Sequence, residues 1–231
     1  DRYGLFCAFN TPHSLYFATG ERIVTTDQNG QLQLVMNNER SVSAATEILE
    51  LCLDPAHLSN GFDSSVKAFM EGRLLFTGWA LTDINSIRDC QYDFGILPYP
   101  KYDEAQEGYH IYADSFGMLF GIPSTTPTPD FSGFMLEALS YQASTTSLPA
   151  YIEISCKTKY TYDNDSAEML NLIFDNIVYE PAEIFGISGV QTILFDVIST
   201  GKNTFASQYA KVEEMALTDL EQMIEDIEAV E

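Results

Sequence analysis

Basic residues are scarce in this sequence. Its 11 lysines and arginines stand against 34 aspartates and glutamates, which gives a formal net charge of −23 at pH 7. A charge of this sign repels the phosphates of nucleic acids and the surfaces of anionic membranes. The composition therefore excludes nucleic acid as an expected partner and favours a neutral or cationic ligand.

The short motifs of several enzyme classes are also missing. The sequence contains no G-x-S-x-G, no G-x-x-x-x-G-K-[ST] and no G-x-G-x-x-G string, which are signatures of α/β-hydrolases and nucleotide-binding enzymes. Its three histidines, His13, His57 and His110, are scattered and form no H-E-x-x-H zinc motif. Cys7 and His13 would offer a nucleophile and a base, but no third residue is placed to orient them. We therefore expect no catalytic residues, no metal and no cofactor, and predict that the protein is not an enzyme.

The four cysteines, Cys7, Cys52, Cys90 and Cys156, lie far apart and form no C-x-x-C pair. A compact zinc site is therefore not expected. Free cysteines are among the most buried residue types, so free and mostly buried thiols are the simplest interpretation. A single disulfide is the alternative if the chain is exported to an oxidising compartment, and the spacing does not choose between the two.

Length and composition indicate a folded protein of one or two domains. The chain has 231 residues, of which 45% are hydrophobic and 13% aromatic, and this is enough for a substantial core. No stretch approaches the ~18 consecutive apolar residues of a membrane-spanning helix. Strand and helix periods alternate along the chain, with helices dominant in the second half, which is typical of an α/β fold.

Individual segments give more specific predictions. Two β-prone runs flank residues 27–30, whose Asn-Gly pair predicts a hairpin turn. Further strands are predicted at 73–77, as a fully buried strand, at 92–97 and at 110–123. Helices are predicted at 41–53, 63–72, 131–139, 165–177, 188–201 and 204–230, with a break at 146–151. The expected N-terminal caps are Ser41, Asp63, Asp130 and a Ser188–Gln191 capping box.

Four segments follow one another in a characteristic order. SLYFATGERIVTTDQNGQLQL (14–34) holds a small-residue-Gly turn, a strand and a D-x-x-G hairpin, and SSVKAFMEGRLLFTGWAL (64–81) holds a strand that ends in G-W. DFGILPYPKYDE (93–104) holds a strand with a proline exit, and residues 187–224 hold a closing helix pair. In this succession, which covers nearly the whole chain, the sequence resembles the C-terminal portion of family 1 extracellular solute-binding proteins, which serve carbohydrate ABC importers.

The resemblance implies an α/β fold of the periplasmic-binding-protein type II kind, with two hinged lobes and a sugar in the cleft between them. It also implies that the chain lacks most of the N-terminal lobe. Residues 1–91 would form the first part of the C-terminal lobe, and residues 150–231 its closing helices. Residues 92–149 would be the returning segment of the N-terminal lobe with the hinge crossings. The apolar face of the helix at 131–139 would then be uncovered and would favour self-association.

The resemblance further implies a set of ligand-binding residues with Trp79 at its centre. A flat indole face suits the slightly positive C–H face of a sugar ring, so Trp79 would stack on the ligand. The alternative interpretation is that Trp79 seals the end of its strand against the core. Asp83 would accept hydrogen bonds from sugar hydroxyls or, alternatively, begin a solvated helix. The other implied ligand-binding residues are Tyr3, Phe9, His13, Tyr16, Asp114, Glu183 and Phe185.

The expected function is thus ligand capture and not catalysis. By resemblance, an oligosaccharide would bind between the lobes, close them, and be presented to the permease subunits of an ABC transporter. The full-length parent would be an extracellular lipoprotein anchored at the cell surface. Two alternatives remain open at this stage: a surface adhesin or protein-interaction module, and binding of a non-sugar solute such as a peptide or a polyamine.

Overall fold

The computed structural model of the protein describes residues 1–7, 10–58, 61–113, 120–153 and 164–229. The strands in this part of the chain are β1 (Tyr3–Phe6), β2 (Val24–Thr26), β3 (Leu32–Leu34), β4 (Leu74–Thr77), β5 (Ile111–Tyr112) and β6 (Ile177–Val178). The helices are α1 (Thr11–Ala18), α2 (Glu39–Leu53), α3 (Phe62–Met70), α4 (Pro129–Gln142), α5 (Leu148–Ala150), α6 (Asn164–Asp175), α7 (Pro181–Phe185), α8 (Ile193–Thr200) and α9 (Phe205–Glu228). Two 3-10 helices, Leu81–Ile87 and Val190–Thr192, and the π-helical segment Ala143–Ser147 complete the described elements.

The strands pair in three short two-stranded sheets. β1 and β4 are parallel, with Tyr3 opposite Leu74 and Phe6 opposite Thr77. β2 and β3 form the antiparallel hairpin that the Asn-Gly pair predicts, and Gly30 adopts the left-handed conformation (φ 81°) that such a turn requires. β5 and β6 are parallel and join residues far apart in the sequence. The mixture of parallel strands and covering helices confirms the α/β class.

Buried residues form two cores. The main core lies between α1, α2, α8, α9 and the β2–β3 hairpin, and Tyr16, Phe17, Leu49, Leu194 and Phe205 are among its members. The second core lies where α3 and the 3-10 helix Leu81–Ile87 cover one side of the β1–β4 pair. The hydrophobic stripe of α9 faces the main core through Phe205, Tyr209, Ala216, Leu220 and Met223, as its sequence period predicts. These two cores leave the carboxyl ends of β1 and β4 near their common boundary.

Three predictions about strands and breaks are wrong. β4 is not fully buried, because Leu75 and Phe76 are 69% and 53% exposed. Residues 92–97 form no strand, since the Ile96 amide donates to the Ser166 hydroxyl instead of to a neighbouring strand. The predicted break at 146–151 is helical, although Pro149 lacks the backbone N–H that a continuous helix would use at that position. α4 therefore continues through the π-helical residues Ala143–Ser147 into α5.

The predicted helix caps are also displaced. The side chain of Asn38 caps α2 by accepting from the Ser41 amide at 2.9 Å, so Ser41 lies inside the first turn. α3 begins after Gly61 and α4 after Thr128, which places Asp63 and Asp130 within the first turns. Carboxylates are favourable there through the helix dipole, although they do not cap. The Ser188 amide donates to Asp219 of α9, so no Ser188–Gln191 capping box forms.

α4 is unusual because none of its residues is buried. Phe131, Phe134 and Leu139 are each at least 60% exposed on the face that the sequence predicts to be apolar. By contrast, the preceding segment packs on α1 and α2, where the Tyr112 ring stacks on Phe17 at 4.8 Å. None of the helices in the described ranges is both long and apolar enough to cross a membrane.

Candidate ligand-binding site

The carboxyl ends of β1 and β4 lie side by side, because Phe6 pairs with Thr77. Cys7 follows one strand, and Gly78 and Trp79 follow the other. In α/β structures, ligands bind outside the carboxyl ends of parallel strands, where loops carry the polar side chains. This edge is therefore the candidate ligand-binding site.

Trp79 stands beside this edge in a fixed orientation. Its indole N–H donates to the Ser65 hydroxyl at 3.1 Å, and its ring meets Phe62 and Phe69 in edge-to-face contacts at 5.7 and 5.5 Å. The side chain is half-buried and packs against the second core. A tryptophan that packs over the end of its strand against the core would make the same contacts. The contacts also hold the indole ring in one orientation before any ligand binds.

Tyr99 joins the β4 end of the site to α1, and the sequence analysis missed it. Its ring lies so close to Gly78 that a Cβ at that position would overlap the hydroxyl. The hydroxyl also hydrogen-bonds to Ser14 of α1. Burial raises the pKa of Tyr99, and the bond to Ser14 opposes that rise. In the sequence, the one feature that sets Tyr99 apart is its position between Pro98 and Pro100, in the segment predicted to cross between lobes.

A polar group lies at the start of α1, next to Ser14. His13 is 8% exposed, and its Nε2 donates to the backbone carbonyl of Gln191 at 2.7 Å. The same nitrogen lies 3.8 Å from a carboxylate oxygen of Glu183 in α7. Two of the predicted site residues, His13 and Glu183, are thus brought together although they are far apart in the sequence.

Two buried polar atoms near these groups have unused hydrogen-bonding capacity. Among the described residues, neither Thr77 Oγ1 nor the side-chain oxygen of Gln191 has a hydrogen-bond partner. Thr77 precedes Gly78 at the end of β4, and Gln191 is the residue whose carbonyl binds His13. An unpaired buried polar atom costs about 1–3 kcal/mol, so water or a hydroxylated ligand would be stabilised here.

The remaining predicted residues are not gathered at this edge. Tyr16 is fully buried in the main core and lines no open surface of this structure. Tyr3 pairs with Leu74 at the amino ends of the strands, opposite to the edge that holds Trp79. Asp83 accepts from the Ala80 amide at 3.0 Å and so caps the 3-10 helix. Phe9 and Asp114 lie outside the described residues.

Phe185 lies on a different surface from Glu183. It is 59% exposed and lines a groove of about 630 Å³ between α7 and the last turns of α9. The other walls of the groove include Ile187, Met223 and Ile227, with Asp219 and Asp226 at its rim. α7 thus contributes Glu183 to the polar group around His13 and Phe185 to a separate apolar groove.

Comparisons with solved structures support a solute-binding fold. A Thermus thermophilus maltotriose-binding protein bound with maltotriose is similar over 96% of this chain and 62% of its own, with a TM-score of 0.53 and 14% identity. A Listeria monocytogenes ABC substrate-binding protein in complex with cycloalternan is similar over 94% of this chain and 58% of its own, with a TM-score of 0.59 and 11% identity. The chain therefore spans about three-fifths of the length of these structures. No protein-family model matches the sequence, and a comparison with characterised protein sequences gives no match.

These likenesses establish the fold and nothing finer. Over most of its length the chain is an α/β protein that resembles periplasmic solute-binding proteins, and both of these solved structures are binding proteins for oligosaccharides. Identities of 14% and 11% are too low to transfer a ligand or a residue's role.

Proposed function

We propose that this protein binds a neutral oligosaccharide and delivers it to an ABC importer. The observation that carries the proposal is the fold, since the two solved structures that it resembles hold maltotriose and cycloalternan. Both ligands are uncharged, which agrees with a chain whose net charge of −23 disfavours an anionic ligand. The proposal rests on analogy of fold, so it needs a direct binding test.

The candidate site offers the two kinds of contact that a sugar requires. Trp79 would present part of its indole face to the C–H face of a sugar ring. Its bond to Ser65 and its contacts with Phe62 and Phe69 fix the ring beforehand, so little rotational freedom would be lost on binding. His13, Glu183 and Gln191 would supply donors and acceptors for hydroxyl groups.

The lobe arrangement is part of the same proposal. Residues 1–91 and 150–231 would form the lobe that carries the site, and residues 92–149 the returning segment of the other lobe. The exposed face of α4 would then be the surface that the rest of that lobe covers. The full-length protein would be extracellular and lipid-anchored, and would meet the permease subunits with its lobes closed on the ligand.

Calorimetric titration tests the proposal. We expect saturable binding of a linear or cyclic glucan such as maltotriose or cycloalternan, with spermidine and an unrelated peptide as non-sugar controls. The glycans should be recovered intact after long incubation, because binding and not hydrolysis is proposed. Binding of the polyamine or the peptide alone would contradict the choice of ligand class, and cleavage of a glycan would contradict the non-enzymatic assignment.

A protein-interaction function is the second candidate, and the exposed apolar face of α4 favours it. A surface of this kind marks contact sites in monomeric proteins. If the face is an interface between copies, the chain should form a stoichiometric dimer that glycans do not affect. Sedimentation velocity with and without glycan distinguishes the two functions.

A further inference from the structure

We propose that the groove between α7 and α9 binds an amphipathic helix of another protein. The partner helix would carry two basic side chains seven residues apart, with apolar side chains between them on the same face. The proposal concerns a surface separate from the strand edge that holds Trp79, so it does not rest on sugar binding.

The groove has an apolar lining that is only partly covered. Ile187 and Met223 are buried beneath it, whereas Phe185 and Ile227 are 59% and 45% exposed beside it. A concave surface of about 630 Å³ next to large exposed apolar side chains is typical of a contact site. Apolar side chains of a partner would remove this surface from water, which is favourable in proportion to the area buried.

Backbone geometry fixes the shape of the groove. α7 ends at Gly186, whose left-handed conformation (φ 69°) turns the chain, and the Ile187 amide donates to the carbonyl of Ala182 at 3.0 Å. The Ser188 amide then donates to Asp219 of α9 at 2.9 Å, which ties the two walls together. The groove is thus formed before a partner binds, so little free energy would be lost in ordering it.

Two acidic side chains determine the charge and the spacing of a suitable partner. Asp219 and Asp226 line the groove seven residues apart on α9, which is two helical turns or about 10 Å. In the part of the chain that the structure describes, neither forms an ion pair with a lysine or an arginine. A helix laid along α9 would place basic side chains at i and i+7 opposite these carboxylates, with apolar ones at i+3 and i+4 between them.

The charge of the chain favours a different protein over a second copy as the occupant. With 11 basic residues against 34 acidic ones, another copy would be repelled by the acidic rim. An anionic membrane surface would be repelled for the same reason. A basic amphipathic helix complements both the apolar lining and the carboxylates.

Binding of a designed peptide tests the surface. The probe is an alanine-based helix of about 18 residues, with two lysines seven residues apart and two leucines between them on the same face. The control peptide has the same composition and carries its leucines on the opposite face. Fluorescence anisotropy of the labelled peptides at physiological ionic strength should show saturable binding of the probe, and binding of the control that is about tenfold weaker.

Two matched charge variants separate the groove from the general negative charge of the chain. The Asp219→Asn/Asp226→Asn chain should bind the probe about tenfold more weakly than wild type, and asparagine at residue 219 can still accept from the Ser188 amide. The Glu221→Gln/Glu228→Gln chain loses the same number of charges, from exposed positions seven residues apart on α9 that do not line the groove. It should bind the probe as wild type does.

A second pair of variants tests the apolar contact. Phe185→Ser should weaken binding of the probe, whereas Met215→Ser, which removes an exposed apolar side chain elsewhere on α9, should leave it unchanged. Circular dichroism of all four variants checks that each is folded.

Several results would overturn the proposal. Failure of the wild-type chain to bind the probe would do so directly. Equal binding of the two peptides, or equal weakening by the two charge variants, would reduce the effect to general electrostatic attraction. Displacement of the probe by maltotriose would place it at the candidate ligand-binding site instead. A stable dimer that Phe185→Ser dissociates would identify a second copy as the occupant.

Discussion

The Tyr99 ring packs against the backbone of Gly78, in space that a single methyl group on residue 78 would fill. Because the Tyr99 hydroxyl also bonds to Ser14, this contact connects the end of β4 to α1. Trp79 is the next residue in the chain, so the Tyr99 ring lies beside the candidate site. A glycine is needed at residue 78 because a neighbour occupies the place of its side chain.

We expect Gly78→Ala to destabilise the protein by about 1–3 kcal/mol, since the added methyl group must displace the Tyr99 ring. Urea unfolding followed by circular dichroism gives the change in the free energy of unfolding. Gly108→Ala is the matched control, because a Cβ at Gly108 would meet no atom within 4 Å. Equal free energies of unfolding for the two variants would show that the Tyr99 contact is not formed in solution.

The contacts of Trp79 can be separated from its role in binding. Ser65→Ala removes the acceptor of the indole N–H and should cost about 1 kcal/mol of stability. It should change glycan affinity little, because the edge contacts with Phe62 and Phe69 remain. Trp79→Ala should cost about 3 kcal/mol of stability and abolish glycan binding. Calorimetry on folded samples of both variants checks the difference, and full affinity in Trp79→Ala would assign the residue to the core alone.

Glu180 should give a measurable pH dependence. It is 2% exposed, and its carboxylate accepts from the backbone amides of Ile23, Val24 and Ala182. Burial raises the pKa of Glu180 above its ordinary value, and the three amides and Arg22 only partly oppose this. A carboxyl group whose pKa is higher in the folded than in the unfolded state stabilises the fold fully at low pH. This contribution of Glu180 declines as the pH rises through the folded-state pKa.

The measurement compares wild-type protein with Glu180→Gln from about pH 4 to about pH 7, the range above the ordinary pKa of a glutamate. The free energy of unfolding of wild type minus that of the variant should fall as the pH rises. Taking the difference cancels the titration of the other carboxylates. A difference that rises with pH would mean that the three amides outweigh burial.

The exposed face of α4 should cause self-association. We expect the replacement of both Phe131 and Phe134 by serine to lower the sedimentation coefficient at high protein concentration, because these residues are 62% and 66% exposed and apolar. Replacing Met215 and Leu217 of α9 by serine is the matched control, since these residues are also exposed. A wild-type chain that sediments as a monomer at all concentrations would contradict the expectation.

The elements that the sequence predicts well are those whose signals are local. Asp27 accepts from the amides of Asn29 and Gln31, and Gly30 takes the left-handed conformation, so the hairpin turn is determined within a few residues. The stripe of α9 is similarly visible because one face of a long helix is apolar throughout. In both cases the residues that form the structure are neighbours in the sequence.

The failures concern contacts between distant residues. Residues 92–97 have the composition of a strand, but Ser166 provides the hydrogen bond that a neighbouring strand would have supplied. The complete burial of Tyr16 depends on the packing of α2, α8 and β5 on α1, which no local pattern indicates. Tyr99 was missed because its importance depends on Gly78 and Ser14, which no local pattern connects to it.

The central claim is that a sugar binds next to Trp79, and the fluorescence of this residue tests it most directly. Trp79 is the single tryptophan of the chain, so any change in indole emission reports on its surroundings alone. We expect a saturable spectral shift on titration with one class of glucan, and no shift with spermidine. The absence of any shift with linear or cyclic glycans up to millimolar concentration, in protein that is folded by circular dichroism, would contradict the claim.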